Sequence, residues 1–187
     1  LPGRSTRPLG GIHASSNQPL APGRLTTTTG QVSGYRRCRR EVISWKSKDG
    51  TTIEGVLLKP ADFDAARKYP LLCIIHGGPT GVDRPTMIDT RTYPSDIWAE
   101  RGALILKVNY RGSAGYGEKF RQLNVRNLGV GDAWDVLSGV DHLVKLGWVD
   151  PKRVGCMGWS QGGYISAFLT TLSDALAEIT GGGCTSN

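Results

Sequence analysis

Val154-Gly155-Cys156-Met157-Gly158-Trp159-Ser160-Gln161-Gly162-Gly163-Tyr164 decides the fold. Its first four residues form a short run with no polar face, as expected of a strand buried on both sides in a parallel sheet. Gly162 to Leu172 reads as an apolar helix. Between strand and helix lies a Gly-x-Ser-x-Gly turn. A frame of this kind holds a serine hydroxyl clear of the backbone, and it needs glycine where the turn is too tight for side chains. The N-terminal end of the helix also offers positive potential to a developing oxyanion. The bland alternative is an ordinary serine in a glycine-rich packing turn. The strand running in and the helix running out argue against it.

Working outward, Leu71 to Ile75 is another wholly apolar run, and Ala103 to Val108 is apolar but for Lys107. Between them, Ser95 or Asp96 is positioned to cap a helix through Trp98 that stops at Gly102. Ahead of the third run, Asp132 is positioned to cap a helix with Trp134, Leu137, Val140 and Val144 on one face. Asp150-Pro151 turns the chain into the third strand, and Ile179 lies in a short possible strand. From Val42, Ile43 and Trp45 alternate with polar neighbours, Asp49-Gly50 makes a turn, and Ile53 to Leu58 continues as a second strand. The expected fold class is α/β: a mostly parallel sheet with right-handed crossovers and an N-terminal β-hairpin at its edge.

The 187 residues suffice for one domain or part of one, and 39% hydrophobic with 21% charged residues is a globular composition. No apolar run approaches the ~18 residues of a membrane-spanning helix, so no membrane partner is expected. The net charge of +7 is unevenly placed. Residues 1–40 hold seven arginines and no acid, whereas the remainder holds 16 basic and 16 acidic residues. The excess thus lies in a Pro/Gly/Ser/Thr/Arg-rich leader that reads as a solvated linker. A neutral body without a basic helix argues against a nucleic-acid partner. Cys38, Cys73, Cys156 and Cys184 are isolated, with no CxxC pair and no histidine spaced for zinc. No metal site is expected, and a reducing, cytoplasmic compartment is favoured. The chain starts with Leu1 and has no secretory signal, so a piece of a longer protein is expected.

Two more glycine-rich stretches follow buried strands. In His76-Gly77-Gly78-Pro79 the glycines allow the backbone to approach a carbonyl and direct an N–H at it. His76 itself reads as a structural hydrogen bonder. Asn109-Tyr110-Arg111-Gly112-Ser113-Ala114-Gly115-Tyr116-Gly117 follows the second run, at the sheet edge where open α/β folds place their ligands. It lacks the GxGxxG spacing and a ribose-binding acid, so no dinucleotide cofactor is expected.

Residues from about Glu41 to Asn187 resemble the catalytic domain of the prolyl oligopeptidase family of serine peptidases, in its acylaminoacyl-peptidase and dipeptidyl-aminopeptidase branch. The resemblance rests on HGGP at 76–79, NYRGSAGYG at 109–117, GDAWDV at 131–136, DPKRV at 150–154 and GWSQGGY at 158–164. It implies an α/β-hydrolase fold, here truncated, in residues 41–187. It also implies that residues 1–40 are the exit from a β-propeller that this chain lacks. By the same resemblance Ser160 is the nucleophile, and the backbone N–H groups of Gly78 and Gln161 form the oxyanion hole. Arg111, Asp132 and Asp135 match recurrent positions that read as a buried ion pair and a helix cap. Tyr116 and Tyr164 are candidates to face the site. Peptides are the implied substrates, with no cofactor.

The triad is the departure. Its order in this fold is serine, acid, histidine. After Ser160 come Asp174 and Glu178 but no histidine. His13 lies in the linker, His76 in the oxyanion loop and His142 on the helix before the turn. The expectation is therefore a serine peptidase whose triad acid and histidine are missing from this chain, leaving the chain by itself inactive. Two other readings stand beside it. The same turn serves small-ester hydrolases, and a noncatalytic interaction domain would keep the fold after losing the triad.

Overall fold

In a computed structural model, the structure describes residues 37–86 and 92–172 with their side chains. It also describes the backbone of strands at 13–14, 23–24 and 178–182. The chain divides into two units, Leu1–Arg36 and Arg37–Asn187. In the first, β1 (His13–Ala14) pairs antiparallel with β2 (Gly23–Arg24).

The second unit is built on a six-stranded sheet. Its strands are β3 (Arg39–Lys46), β4 (Thr52–Lys59), β5 (Tyr69–Ile75), β6 (Leu104–Asn109), β7 (Val149–Trp159) and β8 (Glu178–Gly182), in spatial order β3-β4-β6-β5-β7-β8. β3, β4 and β6 pair antiparallel, while β6, β5, β7 and β8 run parallel. The helices are α1 (Ser95–Glu100), α2 (Glu118–Gln122), α3 (Gly131–Lys145) and α4 (Gln161–Leu172). Strand side chains alternate between two cores. Leu57, Cys73 and Leu106 pack with Val136, Leu143, Ile165 and Leu169 of α3 and α4. Val56, Leu58, Ile74 and Ile105 pack with Ala99 of α1. Both faces are covered, which is why the central strands carry largely apolar runs, with Lys107 of β6 the exception.

The hairpin begins at Arg39, earlier than the Val42 read from the pattern. Arg40 extends it because its guanidinium pairs with Asp96 at 2.5 Å. Neither expected cap holds. The residue preceding α1 is Pro94, with no side-chain cap. α3 starts after Val130, so Asp132 lies within its first turn, fully buried, with Oδ1 accepting the Ala133 N–H at 2.8 Å. Burial pushes the Asp132 carboxyl upward, against the backbone N–H bonds that favour its ionised form. Asp150-Pro151 does not precede the third strand but lies inside β7. Between the Tyr69–Val149 and Leu71–Val154 pairs the strand bulges, and Asp150 there accepts the Lys152 N–H at 3.0 Å.

The expected buried ion pair is present. Arg111, just beyond β6, reaches Asp135 of α3 through its own N–H (2.7 Å), Nε (3.0 Å) and Nη2 (2.8 Å). Ser47 Oγ donates to the same carboxylate at 2.6 Å, and Asp49 binds Arg111 Nη1 at 2.9 Å from the hairpin turn. This cluster fixes the loop after β6 against both α3 and the hairpin.

Candidate active site

The parallel strands bring three loops to one edge of the sheet, because β5, β6 and β7 all end there. In the register, Ile75 at the end of β5 stands opposite Gly158 near the end of β7. Ser160 follows immediately, with φ at +56°. A serine in the left-handed region costs about 1–3 kcal/mol and persists only where its surroundings impose it. Here Gly162 makes the imposition possible: a Cβ at that position would sit 1.9 Å from the Ile75 carbonyl oxygen. α4 begins at Gln161, and its first turn closes when the Tyr164 N–H reaches the Ser160 carbonyl at 3.0 Å.

The loop after β5 lies directly against this turn. A Cβ at Gly77 would be 2.9 Å from the Trp159 carbonyl oxygen and 3.3 Å from Ser160 Cβ. Gly78, with φ at +136°, is exposed and holds a conformation closed to other residues. The Gly81 N–H returns to the Gly77 carbonyl at 3.2 Å, and the Ala114 N–H reaches the Gly81 carbonyl at 3.2 Å. The 76–81 loop is thus tied to the loop after β6.

His76 makes the strongest tie. Its Nδ1 is 2.9 Å from the Gly77 carbonyl oxygen, its Nε2 is 2.9 Å from Ser113 Oγ, and its ring stacks on Tyr110 with centroids 4.4 Å apart. Burial pulls its pKa down, opposed by the Gly77 bond and the charge of Asp83. The sequence reading of His76 as a structural hydrogen bonder agrees with these contacts. It missed Tyr110 and Ser113, both buried at the end of β6. Two polar side chains within four residues of the end of a largely apolar strand are the available signal.

The remaining candidates make other contacts. Half-buried His142 is on α3 and lines an open groove with Trp45 and Leu137. Tyr116 accepts a hydrogen bond from Asn109 at 3.0 Å and packs on Phe120. Tyr164 lies against Gly129, where a Cβ would meet its hydroxyl at 2.7 Å. Asp174 and Cys184 lie outside the described residues, as do Arg4, Arg7 and Arg36 of the leader. Among the described residues no three His, Cys, Asp or Glu side chains gather to hold a metal, and no helix is long and apolar enough to cross a membrane.

A strained serine between a parallel strand and a helix, abutted by a glycine loop, suits nucleophilic attack on a carbonyl. Comparison with known proteins places this arrangement. The family model for the prolyl oligopeptidase family matches residues 90–176. Prolyl endopeptidase FAP of Mus musculus is 36% identical over 139 residues, which is 73% of this chain and 17% of that protein. Over most of its length the chain resembles members of the prolyl oligopeptidase family. The acylamino-acid-releasing enzyme of Arabidopsis thaliana is 39% identical over 100 residues, 54% of this chain and 13% of that one. A solved acylaminoacyl peptidase, in complex with Z-Gly-Gly-Phe-chloromethyl ketone, superimposes with a TM-score of 0.75 at 28% identity. It covers 86% of this chain and 25% of its own. The fold is therefore the α/β-hydrolase fold of these peptidases, and the chain spans less than a fifth of the two curated relatives just described.

Proposed function

We propose that this chain carries the nucleophile and the oxyanion site of a serine peptidase that cleaves peptide bonds through an acyl-enzyme. Ser160 Oγ attacks the scissile carbonyl carbon and passes its proton to a histidine base. The carbonyl oxygen, now negative, is received by the N–H groups of Gly78 and Gln161. The tetrahedral adduct collapses as the amine leaves with the proton, and water then releases the acid from Ser160 by the reverse sequence. The observation that carries this reading is Ser160 at φ +56° beside the Gly77–Gly78 loop, with Gln161 opening α4. The resemblance to the prolyl oligopeptidase family adds the chemistry, and the FAP and acylaminoacyl relatives point to peptide substrates.

The base is not among these 187 residues, on this reading. No histidine follows Ser160, and both ring nitrogens of His76 are engaged. An unassisted serine hydroxyl is a weak nucleophile near neutral pH. A fluorophosphonate probe should therefore label the 187-residue chain no faster than its Ser160→Ala variant. A longer form carrying an acid and a histidine after Ser160 should label at Ser160 and cleave peptides, and S160A should abolish both. Strong labelling of the 187-residue chain would overturn the assignment of the base. A longer form that neither labels nor cleaves would overturn the peptidase reading.

A further inference from the structure

One side chain beside Ser160 uses both of its ring nitrogens, and proton counting fixes which of them carries hydrogen. A carbonyl oxygen can only accept, so the 2.9 Å contact between His76 Nδ1 and the Gly77 oxygen requires Nδ1–H. Nε2 is 2.9 Å from Ser113 Oγ, whose hydroxyl donates to the Tyr110 carbonyl oxygen at 2.6 Å. Nδ1–H is required whatever Nε2 carries, because the Gly77 oxygen has no proton to offer. The Tyr110 hydroxyl completes the clamp by donating to the His76 carbonyl at 3.0 Å.

The consequence runs through one peptide plane. The Gly77 carbonyl and the Gly78 N–H belong to the same planar unit, which is trans, so they point in opposite directions. Whatever holds the carbonyl aims the amide. We propose that His76, through its Nδ1–H, is a positioning residue that aims the Gly78 N–H at the oxyanion by holding the Gly77 carbonyl. This rests on the reading of Gly78 as an oxyanion donor. The Gly81 N–H, 3.2 Å from the same carbonyl, is the weaker second tether. Glycine at 78 adds to the need for a tether, because it has no side chain to restrict its backbone.

Two measurements on the 187-residue chain test this without turnover. Nitrogen-15 spectra of the imidazole at pH 7 should show a protonated Nδ1. A bare Nδ1, as in the Nε2–H tautomer, would overturn the proposal. Relaxation of the Gly78 amide reads the aim directly. In the parent its order parameter should be near the rigid value of about 0.85, and His76→Phe should drop it below about 0.6. That variant keeps an aromatic ring on Tyr110 but has no N–H, so a role in packing alone would leave Gly78 rigid and refute the assignment. His76→Asn, which restores an amide N–H near the place of Nδ1, should return Gly78 toward the parent value; a loss as large as in H76F would also refute it. Leu72 and Cys73 in β5 are the internal control for folding, and if H76F fails to fold, the parent imidazole spectrum decides. Both measurements can fail while Ser160 of the longer form still labels, so the two readings are tested separately.

Discussion

Removing the Asp135 carboxylate should unfold much of the second unit's stability in one step. In Asp135→Ala the three hydrogen bonds from Arg111 and the one from Ser47 Oγ are lost together. The Trp45 indole keeps its 3.0 Å bond, because that bond goes to the Asp135 backbone carbonyl. What remains is a guanidinium whose side chain is 3% exposed, with Asp49 as its carboxylate partner among the described residues. Breaking a buried pair from one side costs about 3–5 kcal/mol, since the surviving charge stays desolvated. Asp49→Ala removes the other partner, but that carboxylate is 35% exposed at the hairpin turn, and such pairs are worth about 0–1 kcal/mol. The double change Arg111→Met with Asp135→Leu removes both buried charges and should recover most of the loss. Recovery should fall short by about 1–3 kcal/mol, because the Arg111 backbone N–H also loses its acceptor. Urea titration followed by tryptophan fluorescence measures all four proteins. A D135A penalty no larger than that of D49A, or a double variant no better than D135A, would refute the account of a buried, locally compensated charge.

Two further predictions follow from the same contacts. Gly162→Ala sets a methyl group against the Ile75 and His76 carbonyl oxygens, neither of which can move freely. It should cost at least about 1–3 kcal/mol, whereas Gly115→Ala, with open space around it, should cost only the roughly 1 kcal/mol of its positive φ; melting curves giving equal losses would contradict this. The Asp49 carboxyl is held well below the usual carboxylate range, chiefly by its hydrogen bond from Arg111. Its contribution is complete above the unfolded value of about 4 and is lost as pH falls through the lower folded value. The melting-temperature gap between parent and Asp49→Asn should therefore hold from about pH 5 to 7 and narrow toward about pH 2. A gap that widened on acidification would contradict it.

The sheet was legible in the sequence because burial on both faces leaves mostly apolar residues, with Lys107 the exception in β6, and the Leu71, Ala103 and Val154 runs all lie in strands of the parallel region. The Ser160 turn was legible for a related reason, since glycine at 158 and 162 marks where backbone meets backbone. What escaped the reading was set by tertiary contact. α2 is short and polar with no buried residue, so no periodicity announced it. Asp132 has the chemistry of a cap but is drawn into the first turn of α3, where its backbone continues the helix. The bulge at 150–153 depends on pairing with Tyr69, some eighty positions away, and a local reading of Asp-Pro as a strand boundary could not contain it. Likewise, nothing near His76 in sequence names Ser113 or Tyr110 as its partners.

The conformation of Ser160 is therefore a property of the packed sheet rather than of its own neighbours in sequence. A serine has no preference for φ near +56°, and the turn alone would relax it. β7 is prevented from relaxing because it is hydrogen-bonded on one side to β5 and on the other to β8. α4 is prevented from moving because Ile165 and Leu169 are fully buried beneath it. With strand and helix both fixed, the connecting residue takes the one conformation that joins them. The same apolar burial that makes the strands recognisable in the sequence thus imposes strain of about 1–3 kcal/mol on a single serine. It follows that core substitutions under α4 should act on the reactivity of Ser160 as well as on stability, by allowing the turn to relax.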